Sequence, residues 1–234
     1  MTVPRVRVKI SGELACFTRP ETKVERVSYP LMTPSAARNI LDAICWRPEM
    51  RWIVTSISVL KPIRYISILR NEVQSKISPA AVKKWIKDFS KFEPQRAGAG
   101  ADTEGTPRNS VLLRDVSYIV EAYPHVFSDN PENSPEKYAA MLTRRVVKGQ
   151  CFHRPALGCR EFAADFAPPG KDDDPQAIDE EVGRMLYDIA FLPDGNRALF
   201  FDAKIQNGVM DTRPEAVIAD AARREEMLQC SYKR

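Results

Sequence analysis

Residues 33–60 have the sequence TPSAARNILDAICWRPEMRWIVTSISVL, and this stretch sets the fold. Thr33 provides a side-chain oxygen that can cap a helix, and Pro34 suits the first helical position. We therefore expect a helix that runs to about residue 46, where an Arg-Pro pair ends it. Residues 52–60 then form an apolar run that is typical of a buried strand. The stretch predicts a helix that leads directly into a sheet.

Strand and helix patterns recur on both sides of this stretch. Residues 5–10 (RVRVKI) alternate cationic and apolar side chains, which predicts a strand with one buried and one basic face. Residues 64–71 can form a further short strand, and residues 111–122 alternate again. A Ser-Pro-Glu start and Gly149 at the far end bound a second long helix over residues 135–148.

The predicted order of elements is β-α-β, an interruption, and β-α-β again. This order is the split βαβ, or ferredoxin-like (RRM-like), arrangement, and it predicts an α+β fold. Residues 72–110 form the interruption, with a short basic helix and a Gly-rich loop, and we interpret them as an insertion over the core. We assign residues 1–160 to the core and residues 161–234 to a small antiparallel β subdomain with a hairpin turn at residues 193–196. Residues 151–155 (CFHRP) are expected to be a strand.

The composition is that of a soluble protein, and its charge is uneven. Residues 1–100 contain 18 Lys and Arg against 8 Asp and Glu, whereas residues 101–234 contain 17 against 23. A basic first half is typical of a protein that binds a polyanion, although the same charges can simply solvate the surface. No apolar run approaches the roughly 20 residues of a membrane span, and the N-terminus lacks the apolar segment of a signal peptide. We therefore expect a cytoplasmic protein whose five scattered cysteines are reduced thiols.

A second group of cations surrounds the end of the helix predicted over residues 135–148. It comprises Arg144, Arg145, Lys148, Arg154 and Arg160. Steps of seven and four residues place Lys137, Arg144 and Lys148 near one face of that helix, where they can follow phosphates or simply contact water. His153, one of two histidines, is open to a structural or an RNA-contacting role. The aromatic motif with which RRM modules stack bases on their sheet is absent, so that mode of binding is not expected.

Three stretches of the sequence resemble the CRISPR-associated Cas-five family, in its subtype I-C branch. They lie at residues 10–52, 148–166 and 183–191. The second contains CFHRPALGCREF and the third contains GRMLYDIAF, and no generic strand or turn requires such strings. The resemblance spans nearly the whole chain in the right order. It implies a ferredoxin-like core with a small β-sheet domain.

The resemblance also implies a function in antiviral defence. Members of the family are endoribonucleases that cut CRISPR repeat RNA at the base of its hairpin and keep the 5′ handle of the mature guide. They then nucleate a surveillance complex with backbone and large subunits, through which target DNA is a further partner. The cleavage is metal-independent, because the ribose 2′-hydroxyl attacks its own phosphate, and no cofactor is expected.

By this resemblance, the usual catalytic site of the family consists of a Tyr near the end of the first helix and a Lys-His pair in the second. The matching positions here are Cys45, Lys137 and Tyr138, so Lys137 is expected to stabilise the phosphorane and Tyr138 or Cys45 to accept the proton. Because two of the three groups differ, two alternatives stay open. One is a non-catalytic subunit that only grips the 5′ handle. The other is a metal-dependent nuclease on RNA or DNA that uses the acidic residues 172–174 and 179–181, which otherwise form a solvated loop.

Overall fold

The computed structural model describes residues 3–22, 24–73, 75–94, 105–128, 130–192 and 195–229. The first half of the chain forms β1 (Val6–Ala15), α1 (Pro34–Ile44), β2 (Met50–Val59), β3 (Tyr65–Glu72), α2 (Pro79–Lys87) and a 3₁₀ turn at Phe89–Lys91. The second half forms β4 (Thr106–Val126), α3 (Pro135–Val147), β5 (Asp165–Ala167), β6 (Glu180–Leu192), β7 (Gly195–Ile205), β8 (Val209–Asp211), α4 (Pro214–Val217) and α5 (Ala221–Gln229). The chain is therefore an α+β protein.

An antiparallel sheet with the strand order β5-β1-β4-β2-β8 forms the centre of the molecule. The longest of its strands, β4, has 21 residues. One part of β4 pairs with both β1 and β2, and its beginning pairs with β3. Helix α1 packs on β2, α3 packs on β4 and β1, and the two helices contact each other. Both helices therefore lie side by side on one face of the sheet.

Alternation of side chains explains how β1 contributes to the core. Val6, Val8 and Ile10 are buried, whereas Arg5 and Arg7 are exposed, as the alternating sequence predicts. By contrast, nearly every side chain of β2 is buried, because other parts of the chain cover both faces of this strand.

The hairpin of β6 and β7 forms a separate two-stranded sheet, and a buried ion cluster attaches it to the rest of the molecule. Asp188 of β6 accepts hydrogen bonds from Arg38 Nε of α1 (2.7 Å) and from Arg51 Nη2 of β2 (2.6 Å). Burial alone would raise the pKa of Asp188, but the two guanidinium groups hold it below its usual range. Arg38 also binds Asp42 one turn later in α1, with Nη1 2.7 Å from Oδ2. Charges this deeply buried are tolerated only as well-bonded groups.

Both long helices are confirmed, together with their caps. Thr33 Oγ1 accepts a hydrogen bond from the backbone N–H of Ala36 at 3.2 Å, and Ser134 Oγ accepts one from the N–H of Lys137 at 3.2 Å. Gly149 follows α3 with a φ of 62°, a conformation that glycine adopts without strain.

Other expectations need correction. Residues 151–155 are not a strand, because the backbone N–H groups of Phe152 and His153 bind the end of α1 instead of a neighbouring strand. Residues 106–110 belong to β4, so the interruption is shorter than residues 72–110. Its Gly-rich part and the first half of the predicted hairpin turn lie outside the described residues.

The division of the chain at residue 160 stays a prediction. Both β5 and β8 follow that residue, yet they pair with β1 and β2 of the main sheet. The main sheet therefore takes strands from both sides of the expected boundary. Among the described residues, no helix has the length and apolar character that crossing a membrane requires.

Candidate functional site

The C-terminal end of α1 is where several of the predicted site residues meet. The carbonyl oxygen of Ala43 accepts hydrogen bonds from the backbone N–H groups of Phe152 (2.9 Å) and His153 (3.0 Å). The guanidinium of Arg145 donates to the carbonyl oxygen of Ile44 at 2.6 Å. The last carbonyls of a helix lack partners within the helix and carry partial negative charge, so these contacts complete the helix end. They also join α1, α3 and the loop after α3 at one place.

Cys45 lies at this junction and is fully buried, with 0% of its surface exposed. Its carbonyl oxygen accepts a hydrogen bond from the indole of Trp52 at 2.8 Å. Burial raises the pKa of the Cys45 thiol, although Arg145 and Arg47 act in the opposite direction. A catalytic base must reach its substrate and be deprotonated near neutral pH. Burial and the raised pKa make Cys45 a slow proton acceptor near neutral pH, and its catalytic role stays a prediction.

Tyr138 faces the interior from α3, with only 1% of its surface exposed. Its hydroxyl donates to Asn133 Oδ1 at 2.9 Å. Burial raises the pKa of the phenol, and the nearby carboxylate of Glu49 raises it further. The phenol therefore stays protonated at neutral pH, and Tyr138 can accept a proton only after alkaline pH has removed its own.

Lys137, its neighbour, is exposed at the start of α3. Its ammonium donates to the carbonyl oxygen of Glu132 at 3.1 Å and to Asn133 Oδ1 at 3.3 Å, and it lies 5.6 Å from the centre of the Tyr138 ring. Neutral oxygens therefore orient this ammonium, and no carboxylate in the described part of the chain neutralises it. Its charge is available to an anion.

Further exposed cations extend from Lys137 along α3 to the end of α1. Arg144 and Lys148 lie on the exposed side of α3, as their spacing predicts, and Arg47 follows α1 directly. Across the described ranges, none of these three forms an ion pair. Arg154 has one weak partner, Asp165, at 3.4 Å in a fully solvated position. The group therefore presents uncompensated positive charge, which suits a polyanion.

Two residues of this site were not predicted from the sequence. Arg47 was interpreted only as part of a helix stop, yet it lies near both Cys45 and Tyr138 and influences their pKa values. Phe152 was interpreted as a strand residue, yet 68% of its surface is exposed. The signal for Arg47 was its place just beyond a helix C-terminus, where a cation is favoured.

Comparison with known protein families shows to which family the chain belongs. The family model Cas5d, described as CRISPR-associated protein (Cas_Cas5), matches residues 6–226 of the chain. The chain belongs to the Cas5d family.

Two relatives of this Cas5d-family chain carry the same name, CRISPR pre-crRNA endoribonuclease Cas5d. The protein from Mannheimia succiniciproducens is 42% identical over 219 residues, which cover 90% of this chain and 95% of the relative. The protein from Thermus thermophilus is 38% identical over 233 residues, with coverages of 90% and 92%. A crystal structure of a CRISPR-associated protein superposes with a TM-score of 0.60 and 22% identity, covering 90% of this chain and 94% of that one. That likeness shows a shared fold.

The basic first half of this Cas5d-family chain is less available to a ligand than its composition suggests. Several of its cations are paired with carboxylates that come later in the sequence. These pairs are Arg5–Glu121, Lys9–Asp173, Arg26–Glu161, Arg38–Asp188, Lys61–Asp115 and Arg70–Glu161. The uneven charge along the sequence therefore reflects in part how the two halves hold each other.

The acidic loop is likewise used internally. Asp173 binds Lys9 of β1 and accepts a hydrogen bond from the backbone N–H of Gly170 at 2.6 Å, and the Lys9 contact lowers the pKa of Asp173. Asp179 accepts a hydrogen bond from the N–H of Asn207 at 2.7 Å. In the described part of the chain, no three His, Cys, Asp or Glu side chains come together as a metal-binding group.

Proposed function

We propose that this chain is an endoribonuclease that cuts CRISPR precursor RNA at the base of the repeat hairpin. It then holds the 5′ handle of the product as a subunit of a CRISPR surveillance complex, together with backbone and large subunits. The observation that carries the proposal is the group of exposed, unpaired cations between α3 and the end of α1, in a chain of this family. Phosphates are the ligands that such a group fits.

The cleavage places two demands on this site. The ribose 2′-hydroxyl must be aligned with the adjacent phosphate, and the charge that develops on the phosphorane must be stabilised. Arg144, Arg145, Lys148, His153 and Arg154 are proposed to contact the RNA. Lys137 is proposed to contact the phosphate that reacts, because its ammonium is exposed and held by neutral oxygens.

The identity of the proton acceptor stays a prediction. Tyr138 and Cys45 occupy the family positions, but both side chains are buried and burial raises both pKa values. If either one accepts the proton, the reaction is slow at neutral pH and accelerates toward alkaline pH. A subunit that retains its product needs only one cut, so slow turnover is compatible with the proposed function.

We also propose that the main sheet with its two helices is a ferredoxin-like core. In its support, the four strands β5-β1-β4-β2 are antiparallel, α1 connects β1 to β2, and α3 connects β4 to β5. This is a split βαβ arrangement in which β3, α2 and the beginning of β4 form an extension.

Cleavage of repeat RNA in the presence of EDTA tests the proposed activity. We expect the wild type to cut, and we expect Lys137→Ala to reduce the rate by at least roughly 100-fold with a much smaller loss of binding, because a cation at the phosphorane acts mainly on charge formed during the reaction. Lys204→Ala, which removes an exposed lysine of β7, is the matched control and should cut normally. Full activity of Lys137→Ala would exclude this site.

Three further results would separate the alternatives. Loss of the alkaline rise in Tyr138→Phe would identify the phenol as the proton acceptor, and the same loss in Cys45→Ser would identify the thiol. Tight handle binding without any cleavage would leave a non-catalytic subunit. Cleavage that appears only when a divalent metal is added would indicate a metal-dependent nuclease.

A further inference from the structure

Phe152 is an exposed aromatic residue beside the cationic site, and neither packing nor the proposed cleavage accounts for it. It follows α3 by five residues, and 68% of its surface is exposed. Val147, at the end of α3, is also apolar and 65% exposed. Apolar surface next to a functional site commonly marks a place where a ligand binds.

The backbone around Phe152 is fixed, so the ring is presented in a defined place. Before it, the backbone N–H of Gln150 binds the carbonyl oxygen of Arg145 at 2.9 Å, which closes the turn at the end of α3. The N–H groups of Phe152 and His153 both bind Ala43. The imidazole of His153 supports the phenyl ring from one side, with the ring centres 4.3 Å apart and the planes at 64°.

Arginines lie near the place where Phe152 is anchored. Arg145 binds the carbonyl oxygen of Ile44, directly next to the Ala43 carbonyl that anchors Phe152. Arg154 follows two residues later, and Arg144 is exposed on the adjoining turn of α3. Asp165, the partner of Arg154, is the one carboxylate that pairs with these arginines in the described part of the chain, and this surplus of positive charge suits a polyanion.

The surface offers a ligand positive charge and an exposed aromatic ring. An RNA segment with an unpaired base can bind to both. Its phosphates pair with the arginines, and the face of the base stacks on an aromatic ring. A base inside a double-stranded stem has no free face to offer. The ring therefore fits a single-stranded part of the RNA.

We infer that Phe152, supported by His153, is a base-stacking subsite that holds one unpaired RNA base beside the cleavage site. The inference rests on the proposed RNA-binding function. It adds a residue that positions the RNA through a base, whereas the cations act only through phosphates.

The test compares two fluorescein-labelled RNA probes that carry equal charge: an oligomer of eight adenosines and an eight-unit abasic ribose-phosphate chain. Stacking of one base is worth about 1–3 kcal/mol, so the wild type should bind the adenosine probe about 5- to 150-fold more tightly. Phe152→Ala should lose this preference and retain its affinity for the abasic probe, and Phe152→Trp should keep it. Phe89→Ala removes another phenyl ring, 79% exposed, and should behave as wild type.

Each outcome bears on one of the two proposals. A preference that survives in Phe152→Ala would overturn the stacking subsite and leave RNA binding intact. Loss of the preference in Phe152→Trp would overturn it as well. A wild type that binds neither probe nor repeat RNA would overturn the RNA-binding function, and the stacking subsite with it.

Discussion

Helix α1 lies between two groups of arginines that differ in almost every respect except residue type. Arg38 and Arg51 are 4% and 1% exposed and share the carboxylate of Asp188. Arg47 and Arg144, at the other end of the helix, are exposed and have no carboxylate partner among the residues described. The guanidinium group is the same, so burial and available carboxylates decide its role. The first group holds the β6–β7 hairpin in place, and the second is left for phosphate.

Asp188→Asn is expected to have the largest effect, and it tests the buried group. The change removes the carboxylate that Arg38 and Arg51 share, so two buried guanidinium groups are left with one carboxylate, Asp42, in this cluster. We expect the free energy of unfolding to fall by about 3–5 kcal/mol in urea denaturation.

The matched control is Asp115→Asn, which breaks the solvated Lys61–Asp115 pair. Asparagine also tolerates the positive φ of 53° at that position, so no measurable loss is expected. If Asp188→Asn were as harmless as Asp115→Asn, the distinction between the two groups of arginines would fail.

The double variant Arg144→Ala with Lys148→Ala tests the exposed group through RNA binding. Each phosphate contact to a single strand contributes about 0.7 to the slope of log affinity against log salt, so losing two should lower that slope by about 1.4 and the affinity at 0.1 M salt by roughly 25-fold. Filter binding of repeat RNA across a salt series measures both quantities. Arg223→Ala with Arg224→Ala, on α5, removes the same charge elsewhere, and an equal loss there would mean that only total charge counts.

For both groups of arginines, the sequence predicts the features that local signals determine. The cap at Ser134 and the glycine after α3 fix that helix and so place Arg144 and Lys148 on one side of it. It does not predict that Arg38 meets a carboxylate 150 positions away, because no local pattern encodes that distance. The run CFHRP has strand character, but the unpaired carbonyl of Ala43 takes its N–H groups, so a tertiary contact overrides propensity.

The dependence of stability on pH tests the charge state of Asp42 in the buried ion cluster. Burial raises the pKa of Asp42 from 3.8 to about 6, so the folded state binds more protons than the unfolded state between these values. Asp42 therefore stabilises the fold below about pH 4, and this contribution is lost as pH rises through about 6. The lowered pKa of the half-buried His125 acts in the opposite direction in an overlapping window.

The difference between wild type and Asp42→Asn isolates the contribution of Asp42. Between pH 4 and pH 7, wild-type unfolding free energy should decline relative to that of Asp42→Asn by about 2 kcal/mol. Urea denaturation at both pH values supplies the measurement. An unchanged difference between the two proteins would show that the pKa of Asp42 is the same in the folded and unfolded states.

The smallest effect is expected for the stability of Arg144→Ala with Lys148→Ala. Exposed cations in the last turn of a helix interact with its dipole only weakly, so the total loss should stay within about 1 kcal/mol. Thermal unfolding of this double variant measures the loss of stability. A loss comparable to that of Asp188→Asn would mean that the exposed cations also hold the fold.

The central position of β4 has a consequence for how the chain folds during its synthesis. Within the described sheet, β1 and β2 each pair with β4, and no ladder joins them directly to each other. A ribosome adding roughly 5–20 residues per second therefore completes β1 and β2 several seconds before their common partner exists. During that interval their apolar faces have no sheet to join, and they are open to chaperones or to aggregation. Synonymous codons that slow synthesis between residues 60 and 126 should lower the yield of folded protein without changing its final stability, as urea denaturation of the purified protein would show.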